Sequence, residues 1–135
     1  MQLSPLTAVS PIDGRYFNST RQLSEYFSEY ALIKYRLYVE TEYFVFLSEK
    51  KFFALDANTK HALRSIITDF SEEDAMSIKE TEKVTNHDVK AVEYFLKNKL
   101  ESMGVGKIKE WVHFGLTSQD INNTAVPLLW KDAIG

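Results

Sequence analysis

The sequence contains no cysteine, which excludes disulfide bonds and thiolate metal sites. The absence of cysteine also fits a reducing compartment such as the cytoplasm. The longest uncharged stretch, 1–12, is well short of the roughly 18 residues that a membrane span needs. That stretch also lacks the basic start of a secretory signal peptide. We therefore expect a cytoplasmic protein without a membrane partner.

A basic excess is also missing, because 16 Lys and Arg residues face 19 Asp and Glu residues and the net charge is −3. Nucleic-acid-binding domains usually have a strong basic excess, so we expect no nucleic-acid partner. An anionic ligand would have to be bound by individual cations and by helix ends. The length of 135 residues, with 44% hydrophobic and 26% charged residues, is typical of one soluble globular domain with its own core.

Glycine and proline are scarce, and no apolar pattern alternates with period two for long enough to predict a sheet. Between 21 and 53 neither residue occurs, and apolar side chains recur at helical spacing. This pattern predicts one long helix, with a break near Ser48 as the alternative, and its many aromatics indicate contacts on two sides. Residues 1–18 are expected to be irregular. The predicted fold class is all-α.

Three segments have the form of a capping box, in which a polar cap is followed three residues later by an acid. They begin at Ser71, Thr85 and Thr117, and each predicts the start of a helix. Glycines at 104 and 106 predict a break between the second and third of these helices.

Two of these helix starts contain candidate ligand-binding groups. The unpaired N–H groups and the positive dipole end of a helix N-terminus suit phosphate or carboxylate. We expect Asn86 and His87 to donate hydrogen bonds to a ligand and Asp88 to stabilise the turn. The hydroxyls of Thr117 and Ser118 could bind a carboxylate. The alternative for both segments is that these residues only cap their helices.

Two further positions are candidates. Arg15, which follows a predicted turn at Asp13-Gly14, could bind a phosphate with two hydrogen bonds beside Tyr16, although most surface pairs of this kind are only solvated. His113 lies among apolar neighbours, so a buried structural histidine is as good an interpretation as a ligand-binding one. We expect no metal site, because the histidines are widely separated and no metal-binding motif is present.

Taken together, four segments resemble the N-terminal part of the adenylosuccinate lyase family in its bacterial form, within the fumarase/aspartase superfamily. They are SPIDGRY (10–16), FSEEDA (70–75), TNHDVKAVEYFL (85–96) and HFGLTSQDINN (113–123). The resemblance implies the superfamily's N-terminal helical domain over 1–116, followed by the start of its central long-helix bundle over 117–135.

The resemblance also implies a function. The family eliminates fumarate from adenylosuccinate, giving AMP, and from succinyl-aminoimidazole carboxamide ribotide, in purine nucleotide biosynthesis. It needs no metal or organic cofactor, and it acts as a homotetramer. A non-enzymatic helical interaction module, argininosuccinate lyase and fumarase are the alternatives.

Carried over by position, the resemblance gives roles to the candidate residues. His87 ranks first, as a catalytic residue that positions substrate or supports proton transfer. The substrate-binding set is Arg15 and Tyr16 for the nucleotide, Asn86, His87 and Asp88 along the substrate, His113 near the phosphate, and Thr117 and Ser118 for the fumaryl carboxylate. The family's general acid and base lie in later segments that residues 1–135 lack, so we expect a part of a longer protein that is inactive alone.

Overall fold

The structure is a computed structural model that describes residues 4–135. Helices make up most of this part of the chain. Residues 1–3 of the predicted irregular segment lie outside these described residues, and 4–16 run in turns. No strand occurs within 4–135, so the predicted all-α class is confirmed. The elements are α1 (Phe17–Thr20), a 3₁₀ turn (Arg21–Leu23), α2 (Ser24–Phe27), α3 (Glu29–Glu49), α4 (Ala57–Thr68), α5 (Glu72–Thr85), α6 (Asp88–Ser102), a 3₁₀ helix (Gly106–Trp111) and α7 (Ser118–Ile134).

Helix α3 lies at the centre of the fold and contacts α2, α4, α5, α6 and α7. Its buried positions do not form one stripe, because apolar Leu37 and Phe44 and polar Arg36 and Glu40 are all buried. A helix packed on several sides has this pattern. The prediction that the aromatic-rich helix is contacted on two sides is therefore confirmed.

The prediction of one continuous helix from 21 to 53 is wrong at its start. Ser28 has extended backbone angles, and its side chain accepts a hydrogen bond from the Ala31 N–H group. This N-cap geometry separates α2 from α3, since an extended residue cannot continue a helix. At the other end α3 stops at Glu49, close to the break considered at Ser48, and Lys51 is left-handed.

The core is a single apolar cluster between α3, α4, α5, α6 and the chain before α7. Burying each large aliphatic or aromatic side chain contributes roughly 1.5–3 kcal/mol, which makes this cluster the main source of stability. Its members are Ile33, Leu37, Phe44, Val45, Leu63, Phe70, Ala75, Ile78, Ala91, Val92, Leu96, Leu100 and Val112. Within residues 4–135, none of the helices combines the length and apolar character that crossing a membrane requires.

Two of the three predicted capping boxes are confirmed, those of Ser71 and Thr117. The third prediction is wrong, because Thr85 is the last residue of α5 and does not cap α6. Asn86 adopts the left-handed conformation, with φ 52°, and reverses the chain in one residue. Asparagine tolerates that conformation better than most residues. The cap therefore moves to His87.

Candidate functional site

The N-termini of α6 and α7 meet at His87 and Ser118. His87 is the N-cap of α6, and its Nδ1 accepts a hydrogen bond from the Lys90 N–H group at 3.2 Å. Its other ring nitrogen, Nε2, lies 3.3 Å from Oγ of Ser118, the first residue of α7. One imidazole therefore joins the two helix starts that the sequence singled out.

The hydrogen bond at His87 Nδ1 determines whether the other ring nitrogen, Nε2, donates or accepts a hydrogen bond. Since Nδ1 accepts, the neutral ring of His87 has its proton on Nε2 and donates it to Ser118 Oγ. The hydroxyl proton of Ser118 is then free to donate to a third group. His87 is exposed, so a ligand can reach this pair from solvent.

A cavity of about 620 Å³ opens beside His87. Lysines bring positive charge to its wall, although each of them is also paired with a glutamate. Asn86, which the sequence predicted as a ligand donor, is exposed at this wall. The lining residues are Lys79, Glu82, Lys83, Asn86, His87 and Asp88.

Asp88 is held by a buried arginine that the sequence analysis did not identify. The Arg36 guanidinium lies 2.9 Å from Asp88 Oδ2, and its Nε donates to Asn122 Oδ1 at 2.8 Å. Partial burial acts to raise the pKa of Asp88, but the Val89 N–H group and Arg36 outweigh it, and the pKa is lowered. Arg36 thus ties α3 to the first turn of α6 and to the second turn of α7.

Replacing Arg36 with methionine should destabilise the fold by about 1.5–3 kcal/mol, the usual worth of hydrogen bonds to charged groups. Urea unfolding followed by circular dichroism measures the change. The control is Arg64→Met, which breaks an exposed pair with Glu42 and should cost at most about 1 kcal/mol. Equal losses in the two variants would contradict the role given to Arg36.

Thr117 and Ser118 differ in what their hydroxyls do. Thr117 Oγ1 caps α7 and also lies 3.0 Å from Asp120 Oδ2, which accepts the Thr117 N–H group at 2.7 Å. That backbone hydrogen bond, with the one from the Thr117 hydroxyl, lowers the pKa of Asp120. The hydroxyl of Thr117 is thus used within its own cap, whereas that of Ser118 faces His87.

His113 lies inside the protein, between two buried glutamates. Its Nδ1 contacts Glu40 Oε1, its Nε2 is 3.6 Å from Glu93 Oε1, and its side chain is 13% exposed. Glu93 is also bound by Lys90 Nζ at 3.0 Å. Burial raises the pKa of Glu40 to about 7, although His113 acts to lower it.

The same three side chains are the one group of possible metal ligands within residues 4–135. Atoms of Glu40, Glu93 and His113 lie within 4.8 Å of one another. Lys90 already supplies positive charge to this cluster through Glu93, and the two ring nitrogens of His113 face different carboxylates. The arrangement is that of a hydrogen-bonded ion network, and the absence of a metal site stays a prediction.

Arg15 and Tyr16 lie apart from this centre. Both are exposed, and the Arg15 guanidinium stands 5.4 Å from the Tyr16 ring centroid. Within residues 4–135, no hydrogen bond, ion pair or ring contact joins them to His87 or Ser118. The turn before them needs glycine, because a Cβ at Gly14 would lie 2.8 Å from the Pro5 carbonyl oxygen.

The residues that the sequence analysis missed are the charged groups buried under the site, Arg36, Glu40 and Glu93. Arg36 and Glu40 are four residues apart on one helix, a spacing typical of an exposed ion pair. Their position among the aromatics of α3 was the available signal, since charges inside an apolar helix need buried partners.

Comparison with known proteins gives the family. Residues 14–135 match the family described as lyase. The chain is 56% identical to the adenylosuccinate lyase of Dictyostelium discoideum over 95% of this chain and 29% of that protein. Its identity to the adenylosuccinate lyase of Legionella pneumophila (strain Corby) is 50%, over 99% of this chain and 30% of the relative. The chain is 47% identical to the adenylosuccinate lyase of Escherichia coli (strain K12), over 98% of this chain and 30% of that protein.

The chain thus spans about 30% of the length of these relatives. The segments that resembled adenylosuccinate lyases lie within a similarity that runs over nearly the whole chain, and the resemblance is confirmed. Because the family match extends from residue 14 to residue 135, the chain belongs to the lyase family.

Proposed function

We propose that this chain is part of an adenylosuccinate lyase and contributes the groups that bind the succinyl end of the substrate. The observation behind the proposal is the meeting of two helix N-termini at His87 and Ser118. Both N-termini present N–H groups and positive dipole ends, which favour a carboxylate. The identity to adenylosuccinate lyases supports this choice of substrate.

The reaction needs groups that stabilise negative charge. Removing a proton beside a carboxylate gives a dianion, and donors that are fixed in advance lower its energy. Ser118 is such a donor. Its hydroxyl oxygen accepts the proton that His87 Nε2 donates, so the hydroxyl proton of Ser118 is left to donate to the ligand. His87 is the catalytic residue that we rank first, through substrate positioning or support of proton transfer.

The other site residues complete the proposal. Asn86 and Asp88 line the substrate cavity, and Thr117 keeps the start of α7 in place. Arg15 and Tyr16 contact the nucleotide part. The general acid and base come from segments outside residues 1–135, and residues 117–135 open the central bundle. The enzyme that contains this chain is a cytoplasmic homotetramer that needs no cofactor.

The test is fumarate release, followed by absorbance, from adenylosuccinate, argininosuccinate and malate. We expect the natural protein that contains this chain to act on adenylosuccinate at a turnover within the usual range of about 1–10³ s⁻¹. Residues 1–135 alone should release no fumarate, because they lack the expected acid and base. Activity on argininosuccinate or malate alone would support another superfamily lyase, and no activity on any of them would support an interaction module.

Ser118→Ala should reduce turnover or affinity in that protein while leaving the fold intact. The hydroxyl removed is neither a helix cap nor a core group, so the cost in stability should stay below about 0.5 kcal/mol. Steady-state kinetics and a thermal melt on the same preparation measure both. Thr117→Ala is the matched comparison, because it removes a cap and should lose about 1 kcal/mol. A Ser118→Ala enzyme with normal kinetics would rule out the role of this hydroxyl.

A further inference from the structure

His113, whose side chain is 13% exposed, is connected to the His87–Ser118 pair along two routes. Along α6, His87, Lys90 and Glu93 follow one another at spacings of three, so they share one side of the helix. Lys90 bonds to both of the others, through its N–H group to His87 and through Nζ to Glu93. Glu93 then faces His113.

The second route is the backbone between His113 and Ser118. His113 is left-handed with φ 61°, and Gly115 is left-handed with φ 73°. A histidine pays an energetic cost in that conformation, so other contacts must hold it there. Its ring contacts Glu40 and Glu93, and its carbonyl oxygen accepts the Leu116 N–H group at 3.2 Å. The strained turn then leads directly into the Thr117 cap.

A direct contact of His113 with a substrate phosphate is disfavoured by this geometry. Each ring nitrogen already faces a carboxylate, and the side chain is 13% exposed. A phosphate that approached the ring nitrogens would have to displace one of these two buried carboxyl groups. The arrangement suits a residue that anchors the backbone.

We propose that Glu40 and Glu93 are positioning residues that hold His113 and thereby set the start of α7, so that Ser118 lies against His87. The catalytic meaning of this role rests on the function proposed above, whereas the structural claim does not. Glu40 is the stronger anchor, because it is fully buried, its Oε1 contacts His113 Nδ1, and its Oε2 has no hydrogen-bond partner that could draw the carboxyl group elsewhere. The charged groups that face His113 are Glu40 from α3, Glu93 with its partner Lys90 from α6, and Asp120 from α7.

The experiment is nuclear magnetic resonance on the 135-residue chain, with ¹⁵N-labelled histidine rings and backbone amides. The variants are Glu40→Leu, which removes the anchor, and Glu40→Gln, which keeps a hydrogen-bonding side chain of the same shape. We expect Glu40→Leu to shift the His87 Nε2 and Ser118 amide signals and to lose the nuclear Overhauser contact between these residues. Glu40→Gln should restore most of that contact.

Controls separate this role from general stability. Glu110→Gln removes an exposed carboxylate, paired with Lys97, and should leave the His87 and Ser118 signals unchanged. If Glu40→Leu does not fold, Glu93→Leu tests the same connection from α6. A folded Glu40→Leu or Glu93→Leu chain with unchanged His87 and Ser118 signals would overturn the proposal.

Inorganic phosphate is the second probe. Adding phosphate to the unsubstituted chain should leave the His113 ring signals in place, since the ring has no free face for it. A saturable shift of both His113 ring nitrogens would instead assign the residue to phosphate binding and overturn the positioning role. None of these measurements uses catalysis, so they stand or fall separately from the fumarate-release assay.

Discussion

Replacing His87 with asparagine should lower fumarate release by about 10²–10⁴-fold in the natural protein that contains this chain, with the fold retained. That range is the usual contribution of a histidine that assists proton transfer or positions the reacting group. Asparagine is among the best N-cap residues, so it can still accept the Lys90 N–H group at the start of α6. It cannot reach Ser118 as Nε2 does. The change therefore separates capping from catalysis.

Turnover and melting temperature should be measured together for His87→Asn, His87→Ala and His61→Ala. His87→Ala should add a capping loss of about 1 kcal/mol to the same kinetic defect. His61 is exposed on α4, and its replacement should change neither quantity. If His87→Asn keeps near-normal turnover, His87 is only a cap, and the proposed site loses its central residue.

Local sequence signals predicted helix starts correctly where the cap and its acid interact with each other. The side chains of Ser71 and Thr117 each accept a hydrogen bond from the N–H group three residues later. The aspartate at that later position accepts one in return from the N–H group of the cap residue. Thr85 has the same spacing to Asp88, yet it fails as a cap. There Asn86 ends α5 in a left-handed turn, and the ring of His87 accepts the Lys90 N–H group at the start of α6. A four-residue pattern cannot distinguish the two outcomes.

The site depends on contacts that are long-range in sequence, and these could not be predicted from spacing. His87 and Ser118 are 31 residues apart, and each segment alone is an ordinary helix start. Arg36 meets Asn122 across 86 positions, and His113 meets Glu40 across 73. The resemblance named His87 and Ser118 as partners in one site, but it gave no role to the buried charges under them. Those charged side chains become buried and paired only when α6 and α7 pack against α3.

The stability of the fold should depend on pH through Glu40. Its pKa in the folded protein is raised from 4.5 to about 7, because burial disfavours the charged carboxylate more than His113 favours it. Since the pKa of Glu40 is higher in the folded than in the unfolded protein, its carboxyl group does not lower the free energy of unfolding below pH 4.5. The loss of stability grows as the pH rises from 4.5 to about 7, and this penalty is complete above about 7. A difference of this size corresponds to roughly 3 kcal/mol.

Urea unfolding of the chain and of Glu40→Gln at several pH values between 4.5 and 8 measures this effect. Glutamine fills the same space without a charge, so the unsubstituted chain should lose roughly 3 kcal/mol relative to the variant as the pH rises across that range. His113→Gln should move the penalty to higher pH, because the electrostatic interaction with the histidine ring, the largest of the three contributions by which His113 lowers the pKa of Glu40, is then gone. Combining the two substitutions gives a double-mutant cycle that isolates their coupling. A stability difference between the chain and Glu40→Gln that does not change with pH would mean that Glu40 stays ionised throughout, and that His113 compensates the full cost of its burial.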